Sequence, residues 1–237
     1  CFGAVVGPDA VAFSAEVIND IAMACGRSPQ LVVATSLVLQ HADSVTHCAV
    51  LLNHQGLIFC QPQIHATERH CWSALGDNLQ TLQLPWGKVA VLTADDVAYP
   101  ELVKVAALQG VHVLIAPIQI QELWETQYGL PSRAAENRIC VLASSRVLAD
   151  GTGTGMIATL EREFTIMTPW RQRQFDGNIN SPMITCQRTG LTVATVHPHR
   201  ASNKLISANT DLLQGRPWHL CADLVATEPL VCQRSGS

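Results

Sequence analysis

Short apolar runs bounded by turn residues recur as far as residue 144: LVVATS (31–36), CAVLLN (48–53), LIFC (57–60), VAVLT (89–93), VHVLIAP (111–117) and ICVLAS (139–144). Runs of this length rich in Val, Leu and Ile read as strands. Most are apolar at nearly every position rather than at alternate ones, which predicts sheets covered on both faces. Helical periodicity lies between them. Residues 8–25 open on Pro8-Asp9 and stop at Gly26, with Val11, Phe13, Val17, Ile18 and Ile21 as an apolar stripe. Residues 99–109 carry Pro100-Glu101 in their first turn and stop at Gly110. Residues 119–135 form a third helical pattern, interrupted at Gly129-Leu130-Pro131. After residue 150 the texture changes. GTGTG (151–155) reads as a turn, MIATL, FTIMTP, MITCQ and LTVATV as strands, and 201–213 as a final helix. The order predicts an α/β fold with helices outside stacked strands, and a single domain over residues 1–237 with no dividing linker.

With 48% of 237 residues hydrophobic and 14% charged, the chain can bury a sizeable core. The formal net charge of -4 and the scatter of Lys and Arg argue against a phosphate-backbone partner, so no nucleic acid is expected. No apolar run approaches the roughly 18–20 residues that cross a bilayer, and no membrane is expected. The opening CFGAVVGPDAVAF lacks the basic n-region of a signal peptide. The nine cysteines form no CxxC pair and mostly lie in apolar segments, where a thiol packs as a small hydrophobe. A disulfide framework is a poor reading for so large a core, and a reducing, cytoplasmic protein is expected.

The segment GKVAVLTADDVAYPELVKVAALQGVHVLIAP (87–117) resembles the nucleophile region of the nitrilase superfamily of carbon–nitrogen hydrolases. There a strand leads to Cys-Tyr-Asp, then to a Phe-Pro-Glu helix start, and a second strand ends in Pro. SRAAENRICVLAS (132–144) is similar to the family's Arg-Ala-x-Glu-Asn stretch, and CAVLLNHQGLIFCQPQIHA (48–66) to its strand–turn–strand leading to Lys-x-His-Leu. NTDLLQGRPWHLCADL (209–224) resembles a C-terminal segment of some members. The resemblance covers nearly the whole chain. It implies a four-layer α-β-β-α sandwich, and a homodimer packed through 99–109 and 119–136.

Family chemistry uses a Cys nucleophile, a Glu base and a Lys that steadies the tetrahedral intermediate. By the resemblance, the nucleophile position is Ala94, which can neither attack nor ionise, and the lysine position is Gln63, which brings no charge. The first glutamate and the family's first strand would precede Cys1. Glu68 matches an additional pocket glutamate, and Glu136 and Asn137 match the Glu-Asn pair of the signature. Asp95 replaces an aromatic residue beside the oxyanion site, where a carboxylate opposes an anionic intermediate. Asp96 matches a position that is usually structural. An engineered Cys-to-Ala change would explain Ala94 and leave Gln63 and Asp95 unexplained.

Other chemistry has weaker support. Thr93 falls on the strand phase that turns from the pocket, and Cys71 beside His70 lacks the spacing of a Cys–His pair. His65, His70 and Cys71, or His197 and His199, lack zinc-ligand spacing, and Asp95-Asp96 makes a poor magnesium site. No cofactor and no metal is expected. The sequence therefore reads as a degenerate member that binds a small amide-like ligand or a partner, or that regulates an upstream domain. The alternative is an active amidase or nitrilase with a replaced nucleophile.

Overall fold

The computed structural model describes residues 8–41, 43–93, 95–146, 155–160, 183–185, 190–207 and 210–221. Ala94, residues 151–154 of the Gly-Thr turn and the FTIMTP segment lie outside the described residues. Helix α1 (Pro8–Cys25) precedes a three-stranded antiparallel sheet of β1 (Val33–His41), β2 (Ser44–Asn53) and β3 (Gly56–Pro62), in that spatial order. A six-stranded sheet follows, in chain order: β4 (Leu82–Leu84), β5 (Gly87–Val91), β6 (Val113–Pro117), β7 (Cys140–Ser144), β8 (Met156–Ala158) and β9 (Met183–Thr185). Strands β5, β6 and β7 are parallel, with Val89 opposite Val113 and Val113 opposite Cys140. Helices α2 (Pro100–Leu108) and α3 (Leu130–Asn137) make the two crossovers. The result is an α-β-β-α sandwich.

Burial explains the apolar runs. In β2, Ala49 and Leu51 join Phe59, Val89, Val91 and Val113 in the core between the sheets. The alternate residues Cys48, Val50 and Leu52 meet Val17, Ile18 and Ile21 of α1 on the outer face. All five of those β2 residues are buried, so the strand has no wet face to mark with polar residues. Ser14 locks α1 in place: its hydroxyl donates to Ala10 O at 2.8 Å and accepts from Val38 N at 3.1 Å. Phe13, placed in the stripe by periodicity, is instead 37% exposed.

Both helix ends read from Gly and Pro are where they were expected. Pro100 sits in the first turn of α2, where a missing N–H leaves no broken bond, and Gly110 takes φ +80° just beyond its end. The pattern over 119–135 resolves differently. Residues 119–122 are not helical, and the expected interruption is a π-helical turn, Glu125–Gly129, running directly into α3. Leu130 N bonds Glu125 O, which lets Pro131 enter the first turn of α3. Arg138 ends that helix at φ 47° without being glycine, and its buried guanidinium donates from Nε to Asn203 O at 2.5 Å.

Two expectations after residue 190 fail. LTVATV (191–196) forms no strand and joins no sheet among the described residues, and Leu191 and Val193 are 92% and 78% exposed. In place of a helix over 201–213 there is a short 3-10 turn (Pro198–Ser202), then a hairpin of β10 (Leu205–Ser207) and β11 (Thr210–Asp211). Asn203 Oδ1 accepts from Leu205 N at 3.0 Å, and Asp211 Oδ1 accepts from Leu213 N and Gln214 N at 2.7 Å. Side chains that capture nearby amides in this way compete with helix formation. Among the described residues no helix is long and apolar enough to cross a membrane.

Candidate functional site

The site lies where β5 ends and β3 exits beside it. Leu92 N still bonds Ile115 O, and Thr93 Oγ1 donates to Pro117 O at 3.1 Å, so this hydroxyl is committed to the end of β6. Beyond position 94 the chain makes a 3-10 turn, Asp96–Ala98. The Asp96 carboxylate is fully buried and accepts from Ile64 N at 2.9 Å, His65 N at 2.8 Å and His65 Nδ1 at 3.0 Å. Two adjacent backbone amides thus aim at one carboxylate, which pins the turn to the Gln63–His65 stretch. The His65 ring stacks on Tyr99, with centroids 3.5 Å apart and planes 2° apart.

Gln63 is fully buried, and its amide is engaged at both ends. Nε2 donates to His65 O at 2.6 Å, and Oε1 lies 2.9 Å from His47 Nδ1. The His65 carbonyl accepts only, so it fixes the amide orientation, and the amide oxygen in turn requires the proton on His47 Nδ1. Burial depresses the His47 pKa, against an opposing effect of the Gln63 bond. His70 packs against His47 with centroids 4.2 Å apart and planes tilted by 41°, and burial together with His47 lowers its pKa to about 4. Both rings are therefore neutral near pH 7.

Asp95 pairs with Arg69, the second residue of the 3-10 turn Glu68–His70. Arg69 also faces Gln121, whose amide oxygen accepts from it once the amide is turned to satisfy both groups. The negative charge introduced at 95 thus has a cationic neighbour, which weakens the repulsion that the sequence alone implies. Glu68 is exposed at the start of its turn. Cys71 is exposed, and the adjacent His70 imidazole is turned to Thr67 Oγ1 at 3.3 Å. Among the described residues no group of three or more His, Cys, Asp or Glu could hold a metal ion.

The structure therefore brings Gln63, Asp95 and Asp96 together, through His65 and Arg69. Glu136 and Asn137 are elsewhere. They end α3 where it feeds β7, at the edge from which the parallel strands start. Glu136 Oε1 accepts from Arg133 Nη1 at 2.9 Å, and Asn137 Nδ2 donates to Arg133 O at 2.9 Å. Arg133 Nη2 donates to Ala98 O at 3.1 Å, so this group braces the far side of the 96–98 turn rather than lining it. Lys104 and Lys204 cap the same end by donating to Glu136 O and to Asn137 O and Arg138 O. The residues that the sequence does not single out are His47 and Arg69, while His70 enters there only as a neighbour of Cys71 and a candidate metal ligand. Only His47 left a signal, a polar residue on the inward phase of β2.

The family model described as carbon-nitrogen hydrolase matches residues 6–196, most of the chain. The chain belongs to the carbon–nitrogen hydrolase family. A probable hydrolase of Bacillus subtilis, YhcX, is 26% identical over 122 residues, covering 49% of this chain and 24% of that protein. The chain thus spans about a quarter of the length of the curated relative it matches. Among solved structures, a glutamate-to-glutamine mutant of the amidase from Nesterenkonia sp. AN1, with acrylamide added at its active-site cysteine, aligns with a TM-score of 0.54 at 17% identity, covering 63% of each chain. The same amidase after removal of its His-tag aligns at 0.52 and 20% identity, covering 66% of this chain and 67% of that one. At these identities the likeness shows the fold, which is the nitrilase-type sandwich.

Proposed function

We propose that this carbon–nitrogen hydrolase domain does not perform the family's hydrolysis but serves as a non-catalytic module, holding a small amide-like ligand or a protein partner. The observation that carries the reading is Gln63. At the position matched to the family lysine it presents a neutral amide, spent on His47 and His65 O, in place of a cation for a tetrahedral intermediate. At the position matched to the family nucleophile, the sequence has Ala94, which supplies no nucleophile. Homodimerisation through α2 and the π-helical turn is part of the same proposal. It is supported by an apolar surface in which Val105, Leu108, Leu123, Trp124 and Tyr128 are 39–69% exposed.

The test is turnover and binding measured on the same preparation. The chain is incubated with acetamide, acrylamide and short aliphatic nitriles, with ammonia release followed, and the same compounds are titrated by ligand-observed NMR. The proposal expects no release above buffer and saturable binding of at least one amide. Ammonia release by the unaltered chain at the rate of an ordinary amidase would overturn it. For the dimer, Trp124→Glu with Leu108→Glu should shift the sedimentation coefficient to that of a monomer. An unaltered chain that already sediments as a monomer removes this part.

A further inference from the structure

Antiparallel pairing of β2 with β3 places Val50 opposite Cys60 and Cys48 opposite Pro62. Cys48 and Cys60 are therefore diagonal neighbours on one face of the sheet, the face that packs on α1. The Gln63 backbone N–H donates to His47 O at 2.9 Å, which makes 47 and 63 a hydrogen-bonded position. The pairs that hold Cys48 and Cys60 are then non-hydrogen-bonded positions, where facing side chains come closest. Both side chains belong to the apolar cluster under α1, where the Cys48 thiol donates to Thr46 O at 3.7 Å. Their surroundings are unequal. Cys48 is 2% exposed, whereas Cys60 is only partly buried at the rim of α1. The neighbouring Cys48 lowers the Cys60 pKa, while Cys60 and burial raise that of Cys48.

We propose that Cys48 and Cys60 are a reversible redox pair, closed to an intrachain disulfide by a low-molecular-weight disulfide. Cys60 attacks as the thiolate, because it is the accessible and more acidic member. It forms a bond to one sulfur of the small disulfide and expels the other as a thiolate. Cys48 then attacks Cys60 Sγ. The second small thiolate leaves and takes up the Cys48 proton. The protein loses two electrons and two protons, and the small disulfide becomes two thiols. Diagonal neighbours in a sheet are about 7–8 Å apart, at or just beyond the Cα separation of about 7 Å that a disulfide spans without backbone movement. Closure therefore draws β2 and β3 together and leaves a strained bond, which thiols reopen readily.

The chain contains no Lys or Arg between Arg27 and Arg69, so trypsin releases both thiols in one fragment, 28–69, which holds no other cysteine. The folded chain is incubated with oxidised glutathione, denatured in iodoacetamide and digested. The expected product is fragment 28–69 lighter by two hydrogen atoms and carrying no alkyl group. Brief treatment of the folded protein with dithiothreitol should restore the doubly alkylated form. Cys48→Ala should instead accumulate glutathione on Cys60, and Cys60→Ser should leave Cys48 reduced. Recovery of the wild-type fragment alkylated at both cysteines, while exposed Cys71 is glutathionylated, would overturn the proposal. So would a 48–60 bond that forms only in denaturant.

Discussion

Asp96 Oδ1 and His65 Nδ1 are 3.0 Å apart, and the same carboxylate receives the backbone amides of Ile64 and His65. One buried side chain thereby joins the turn after β5 to the chain leaving β3. Asp96→Ala would leave two inward-facing amides without an acceptor, a loss of about 2–4 kcal/mol. Asp96→Asn replaces one acceptor oxygen with a donor facing donors and should recover less than half of that. Urea denaturation of the three proteins measures both. An alanine variant within 0.5 kcal/mol of wild type, on the order of experimental error, would show that the amides find other partners.

Gln63 holds His47 in the Nδ1-protonated tautomer by offering it an oxygen. Lysine at 63 could still donate to His65 O, but it gives the His47 Nδ1–H no acceptor. His47 must then switch tautomer, and an ammonium is buried beside it while the nearest carboxylate, Asp96, is already engaged. Gln63→Lys should therefore destabilise the chain by about 1–3 kcal/mol. Nitrogen chemical shifts of the histidine ring report the tautomer directly. A Gln63→Lys chain as stable as wild type, with an unchanged His47 tautomer, would remove the assigned role of the amide.

The contacting pair His47 and His70 predicts an acid limb. Both pKa values lie below the ordinary histidine value of 6.5, that of His70 at about 4, so the unfolded chain binds more protons than the folded one between those values. Their contribution to stability is fully present above about pH 6.5 and falls progressively as the pH drops toward 4. His70→Phe keeps a ring against His47 and removes one titrating group. Its melting temperature should fall less steeply than that of wild type from pH 6.5 to 4.5. Identical slopes would show that the limb belongs to other groups.

What could be read in advance follows from how local each cause is. The limits of α1 and α2 are set by Pro8, Gly26, Pro100 and Gly110, residues whose backbone preferences do not depend on the rest of the fold. The apolar runs of β2 and β6 reflect burial on both faces, which is also visible in one dimension. The stretch 201–213 was misjudged because Asn203 and Asp211 turn their side chains back onto nearby amides, and periodicity does not register that competition. At the site, Ala94, Gln63 and Asp95 stood out only against the family motif. Arg69 and His47 acquire their roles from partners 26 and 16 residues away, Asp95 and Gln63, and no local pattern announces such pairs.

At the opposite end of the strands, Lys204 donates to Asn137 O and Arg138 O, while burial, Arg138 and Lys104 lower its pKa to about 8. Lys104 is lowered to about 8 as well, by burial and Arg216. The folded chain binds fewer protons than the unfolded one between pH 8 and 10.5, so these two groups make stability rise with pH across that window. Lys204→Met should flatten the rise. A Lys204→Met chain whose urea midpoint climbs as steeply as wild type would contradict it.

Gly110 and Arg138 both end a helix in the left-handed region, and exchange should cost stability at each for a different reason. A Cβ added at Gly110 meets nothing within 4 Å, so Gly110→Ala carries only the backbone penalty of that conformation, about 1 kcal/mol. Arg138→Gly relieves the same penalty but deletes a fully buried guanidinium whose Nε donates to Asn203 O. The lost packing and hydrogen bond, about 2–4 kcal/mol, outweigh the relief, so the glycine variant should be the less stable of the two. Chemical denaturation of both variants ranks them. An Arg138→Gly chain more stable than wild type would mean that backbone strain, not the Asn203 contact, dominates at the end of α3.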